Sequence, residues 1–129
     1  MSKPCLTILE PSGFSASALN RLNILFYVNY TLTDQTEVVF VRLANYVDKH
    51  LLGDCKKVKF VVSPTTGLNH IDINYLALNN IKLVSLRDCK DEIKIIKSTS
   101  EFTLLSILSL IRNISQVQRN IILSNSLER

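Results

Sequence analysis

No G-x-G-x-x-G run occurs in the 129 residues, so the glycine turn that seats a dinucleotide pyrophosphate on a helix N-terminus is missing. Tryptophan is absent as well. Cysteine is scarce: Cys5, Cys55 and Cys89 are odd in number and lack metal-ligand or redox spacing. Free thiols in a reducing compartment fit that pattern, and no metal centre is expected. The most apolar segment, residues 102–111, is bracketed by Glu101 and Arg112 and is too short to span a bilayer. The start lacks the basic, apolar and small-residue parts of a signal peptide. The expected setting is the cytoplasm, without a membrane partner. Charge of one sign is not in large excess. Fifteen basic and 11 acidic residues give +4, too little to argue for nucleic acid. Lys56, Lys57 and Lys59 read as a solvated face. No internal repeat or low-complexity segment is present.

What is present is one domain's worth of alternating elements, with 47% hydrophobic residues, an ordinary share for a soluble domain. The chain is organised around residues 59–72, KFVVSPTTGLNHID. Phe60, Val61 and Val62 form the short β-branched run of a strand covered on both faces. Ser63 precedes Pro64 and is biased toward an extended conformation. Gly67 can take positive φ, which lets successive backbone N–H groups turn toward one point. Asp72 reads as a helix N-cap, with Ile71 and Leu76 at the two staple positions.

The remaining elements follow in order. Residues 5–10 are a strand, Pro11, Ser12 and Gly13 a turn, and 14–22 a helix. Strands are predicted at 24–30, 38–41, 59–62 and 81–86, and short helices at 46–52, stopped by Gly53, and at 72–79. Asn79 and Asn80 suit a left-handed C-cap. Residues 87–97 are charged and less regular. Ser98 and Glu101 have capping-box spacing at the head of a long helix, 99–114, whose apolar residues cover more than one face. Residues 115–129 read as a frayed tail.

Strands alternating with helices predict an α/β fold with a parallel sheet. Five strands in the order 2-1-3-4-5 make the flavodoxin-like arrangement, with flanking helices and a long C-terminal linker helix. That order sets three loops, 10–13, 42–45 and 64–67, along the edge where open α/β sheets bind ligands. Arg42 then stands at the end of a buried strand, with a donor fork suited to carboxylate or phosphate. The plainer alternative is a surface arginine paired with Glu10 or with solvent.

Three blocks, TTGLNHID, NNIKLVSL and STSEFTLLSILSLIRNI, stand in order behind EVVFVRLANYVDKHLL. Together they resemble the N-terminal substrate-binding region of the D-isomer-specific 2-hydroxyacid dehydrogenases, in particular the 3-phosphoglycerate dehydrogenase-like branch. The resemblance implies the same 2-1-3-4-5 sheet. It implies NAD as cofactor of the full-length family and a small 2-hydroxy or 2-oxo acid as substrate. By that resemblance Arg42 binds substrate, and the backbone N–H groups of Thr65, Thr66 and Gly67 hold its carboxylate. Thr99 matches a position that touches the nicotinamide cofactor in some members, although the first turn of a helix is an equal reading. A second arginine is common where Ala44 stands, which argues against a phosphate-bearing substrate. His50 and His70 match no catalytic histidine, and His70 fills a position usually Asn. Phe102 replaces the histidine usual after Glu101.

In the family the dinucleotide fingerprint and the catalytic Arg, Glu and His lie beyond the long helix, and this sequence stops before them. The expectation is a substrate-binding domain over residues 1–97, a helix over 98–114 leading toward a cofactor domain, and a tail over 115–129. No catalytic residue and no NAD binding are expected of this chain alone, which reads as truncated before the cofactor domain. Self-association is expected through the long helix. The alternative is a stand-alone carboxylate-binding or interaction module that has lost catalysis. A phospho-receiver of the same topology is disfavoured, because Arg42 stands where it needs Asp and Glu10 alone represents its acidic cluster.

Overall fold

The computed structural model describes residues 3–124. The chain forms two compact units, Met1–Lys90 and Asp91–Arg129. The first contains β1 (Cys5–Ile8), α1 (Ala16–Leu25), β2 (Tyr27–Asn29), β3 (Val38–Phe40), α2 (Lys49–Leu52), β4 (Phe60–Ser63), α3 (Ile73–Leu78) and β5 (Lys82–Ser85). All neighbouring strands pair in parallel, in the predicted order β2-β1-β3-β4-β5. Every residue of β1 is buried, as expected for an inner strand. Val39, Val41 and Val61 are fully buried on one face, with Val47, Leu52, Ile71 and Leu76 packed in the same cluster.

Helix α3 forms for the reasons legible in the sequence. The Asp72 carboxylate accepts from Tyr75 N–H at 2.9 Å, Ile71 and Leu76 share the core, and Asn80 takes φ 55° beyond the end. Helix α1 begins and ends later than 14–22 because Ser15 Oγ caps Ala18 N–H at 3.1 Å. Phe14 instead meets Phe40 edge-on, ring centroids 4.9 Å apart. The helix absorbs Ile24 and Leu25, so β2 shrinks to three residues. Helix α2 starts only at Lys49, where Asp48 accepts from His50 and Leu51 N–H. Gly67 does not use its freedom to take positive φ; the positive-φ glycine is Gly13, at 93°.

The segment after β5 is more regular than its charge suggested. Leu86–Asp88 forms a 3-10 turn and α4 spans Lys90–Ile95. The second unit continues with α5 (Ser98–Ile111) and α6 (Ile114–Ser124). The capping box does not form. Glu101 N–H donates to the Lys97 carbonyl at 3.0 Å, so Ser98 is already inside the helix and Lys97 is a cap without a side-chain bond. Asn113, at φ 50°, separates α5 from α6. Helix thus covers most of the predicted tail, and residues 125–129 lie outside the described residues. In α5, Leu105 and Ile111 are 56% and 72% exposed. Among the described residues no helix is long and apolar enough to cross a membrane.

Candidate functional site

In a parallel sheet every strand delivers its carboxyl end to the same edge. At that edge of the first unit, Ser12, Gly13 and Phe14 after β1, Arg42 after β3, and Pro64 and Thr65 after β4 line a cleft of about 410 Å³. The sheet order therefore brings Arg42 and Thr65, 23 positions apart in sequence, to one cavity. Thr66 and Gly67 follow on the exposed part of the same loop. Thr99 sits in the first turn of α5, in the second unit, where its carbonyl accepts from the Thr103 hydroxyl at 2.8 Å.

The two loops treat their backbone donors differently. After β3, Arg42, Leu43 and Ala44 N–H all donate to the Glu10 carboxylate, at 3.0, 3.0 and 3.2 Å. The Asn45 amide adds a fourth bond at 3.0 Å. Partial burial pushes the Glu10 carboxyl up, but the Asn45 amide and the three backbone donors outweigh it and hold its pKa down at about 2. After β4, the N–H groups of Thr65, Thr66 and Gly67 donate to no group among the described residues. Three neighbouring donors of this kind, on residues that are exposed at Thr66 and Gly67 and half-buried at Thr65, suit an anion.

The Arg42 guanidinium does not pair with Glu10. Its Nη1 donates to the Ser12 carbonyl at 2.8 Å, and among the described residues no carboxylate forms an ion pair with it. This bond lays the side chain along the cleft wall, opposite Pro64 and Thr65. Gly13 makes room for it: a Cβ there would lie 3.1 Å from Nη1, and φ is 93°. The sequence places Glu10 and Gly13 at this edge, but does not show the Glu10 bonds to the backbone after β3 or the contact of Gly13 with Arg42. Their only local signals were an acid directly after a strand and a glycine in the following turn.

The histidines stay out of the cleft lining. His50 is exposed on α2. His70 is buried, with Nε2 3.2 Å from Ser63 Oγ. Among the described residues no group of three or more His, Cys, Asp or Glu side chains is placed to hold a metal. The N-termini of α1, α2 and α3 are capped by Ser15, Asp48 and Asp72.

A five-stranded parallel sheet in the order β2-β1-β3-β4-β5, with flanking helices, defines the class, an α/β domain. The catalytic-domain pattern of the D-isomer specific 2-hydroxyacid dehydrogenases matches residues 28–107, and the chain belongs to that family. It is similar to erythronate-4-phosphate dehydrogenase of Shewanella halifaxensis, 35% identical over 74 residues, 57% of this chain and 18% of the relative. The Psychrobacter arcticus enzyme of the same name is 33% identical over 76 residues, 59% of this chain and 19% of the relative. The chain therefore matches under a fifth of the length of these relatives. Among solved structures, D-lactate dehydrogenase of Aquifex aeolicus, complexed with NAD and lactic acid, aligns at TM-score 0.73 and 16% identity over 97% of this chain and 39% of that one. D-mandelate dehydrogenase of Rhodotorula graminis aligns at 0.70 and 18% over 95% and 41%. These structural likenesses establish the shared fold.

Proposed function

We propose that this chain supplies the substrate-binding part of an NAD-dependent D-2-hydroxyacid dehydrogenase, with residues 98–114 leading toward the cofactor domain. The observation carrying this reading is the cleft that holds Arg42 and Thr65 together, beside three backbone N–H groups that have no acceptor among the described residues. The 65–67 amides take the substrate carboxylate, and Arg42 takes a second oxygen-bearing group. Similarity to erythronate-4-phosphate dehydrogenases favours a sugar-acid phosphate, as does the resemblance to the phosphoglycerate branch, while Ala44 in place of a second arginine weighs against it. Hydride transfer requires a cofactor and an acid–base group. Among the described residues no acidic or histidine side chain lines the cleft, which also favours a second reading, a carboxylate-binding module without catalysis. The exposed apolar residues of α5 suit self-association.

Amide NMR titration of the whole chain with D-glycerate and 3-phosphoglycerate tests the site. The expected result is about millimolar affinity, worth about 4 kcal/mol, because one wall of a cleft gives little preorganisation. The shifts should centre on residues 42 and 65–67. Shifts confined to other amides would sink the reading. Calorimetry with NADH should give no binding at micromolar concentration.

A further inference from the structure

The turn after β4 has no backbone–backbone hydrogen bond among residues 64–67, so side chains must fix it. Thr65 Oγ1 donates to the Gly67 carbonyl at 2.8 Å. A carbonyl offers no proton, so the single hydroxyl proton of Thr65 is committed to that bond. Ser63 Oγ lies 2.8 Å from Thr65 Oγ1 and must supply the proton between them. Ser63 Oγ also lies 3.2 Å from His70 Nε2. With its own proton directed at Thr65, it can only accept there, so His70 Nε2 is the donor. The chain of bonds runs one way, from His70 through Ser63 and Thr65 to the Gly67 carbonyl.

Its origin is well anchored. Ser63 is 1% and His70 9% exposed. The His70 carbonyl accepts from Val47 N–H at 2.8 Å, and Asp72 N–H donates to the Val47 carbonyl at 2.8 Å. Both bonds flank the bridge between Val47 and Ile71. The imidazole thus projects from backbone fixed to the segment after β3, and it holds the turn after β4 from behind.

We propose that His70 is a positioning residue, which through Ser63 and Thr65 sets the conformation in which the 65–67 amides face a ligand. Its functional consequence rests on the reading of that loop as the carboxylate site; the relay itself does not. The relay also assigns the imidazole proton to Nε2, a property that mere filling of the core does not require.

Long-range proton–nitrogen NMR of the histidine rings in the whole chain reads this directly. A protonated Nε2 on His70 is expected, and an unprotonated Nε2 overturns the relay. His70→Ala and Ser63→Ala each cut the relay and should shift and broaden the Thr65, Thr66 and Gly67 amide signals. His70→Gln, whose side-chain nitrogen can donate, should restore them. The Val39 and Val61 amides should stay protected from exchange throughout. D-glycerate should bind about threefold to tenfold more weakly to the two alanine variants, the worth of one hydrogen bond. Loop amides unchanged in both variants overturn the proposal. Should His70→Ala fail to fold, Ser63→Ala and the wild-type ring signal decide. Should D-glycerate bind to no form of the chain, the carboxylate-site reading falls while the ring and amide signals still decide the relay.

Discussion

The loop after β3 and the loop after β4 leave the same edge of the sheet, each with three successive backbone N–H groups to satisfy. In the first, Glu10 supplies the anion from within the chain. In the second, no acceptor among the described residues meets the N–H groups of Thr65, Thr66 and Gly67. Similar donor sets thus serve opposite ends. One is closed by a carboxylate of the chain itself, while the other, on the reading proposed above, would meet a carboxylate from outside. The side chains follow suit. Arg42 is held at its own wall by the Ser12 carbonyl, and Thr65 is held by Ser63 and Gly67.

Substitutions on the two loops should therefore separate binding from stability. The largest effect is expected for Arg42→Ala, which removes a charged donor from the cleft but leaves the Glu10 bonds to backbone intact. D-glycerate affinity should fall by about 1.5–3 kcal/mol if the lost bond is charge-assisted, with a urea midpoint close to wild type. A midpoint shift equal to the binding loss would blur the distinction between the loops. Next comes Gly13→Ala. It forces a side chain into φ 93° and to within 3.1 Å of Arg42 Nη1, and should cost about 1–2 kcal/mol in urea unfolding. It should also weaken ligand binding by displacing the guanidinium.

Glu10→Gln attacks the closed loop. The bonds are exposed or only partly buried, so solvent screening reduces the expected loss to about 1 kcal/mol. Its pH dependence has a definite sign. The folded carboxyl titrates at about 2 against an ordinary 4.5. The stabilisation is therefore complete above pH 4.5 and is lost as pH falls toward 2. Acid unfolding of wild type and Glu10→Gln should converge across that window. A constant gap between them would show that the carboxylate charge is not what closes the loop. The smallest effect is expected for Gly67→Ala. No atom lies within 4 Å of the added Cβ and φ is not positive, so stability should change by less than about 0.5 kcal/mol.

The pair of glycines illustrates what could be read in advance. A turn-rich loop leaves Gly67 free to take positive φ, yet Gly13 is the one that takes it. A glycine's φ depends on what its neighbours in space demand, and Arg42 is 29 positions away in sequence. The strand order and the capped helix α3 were legible because β-branched runs, Asp72 and its staple are local signals. The Glu10 bonds were not legible, since they join residues 32–34 positions apart. The capping box failed for a different reason. Its spacing was right, but the preceding backbone is already helical and Lys97 takes the cap. In α6, Ile114, Val117 and Ile121 carry helical spacing that was available in the sequence but diluted by polar neighbours.

The bridge between Val47 and Ile71 also has a meaning for how the chain can change. It fastens the segment after β3 to the start of α3, and Lys59 N–H is separately tied to the Glu37 carbonyl at 2.8 Å. Between those points residues 48–58 are anchored by Leu52, Cys55 and Val58, all buried in the core. Gly53, Asp54, Lys56 and Lys57 lie at the exposed bend of that span. Residues added between Lys56 and Lys57, both exposed and outside the cleft lining, would enlarge a surface turn, a place to insert a tag or a reporter, whereas additions beside Leu52, Cys55 or Val58 would open the core.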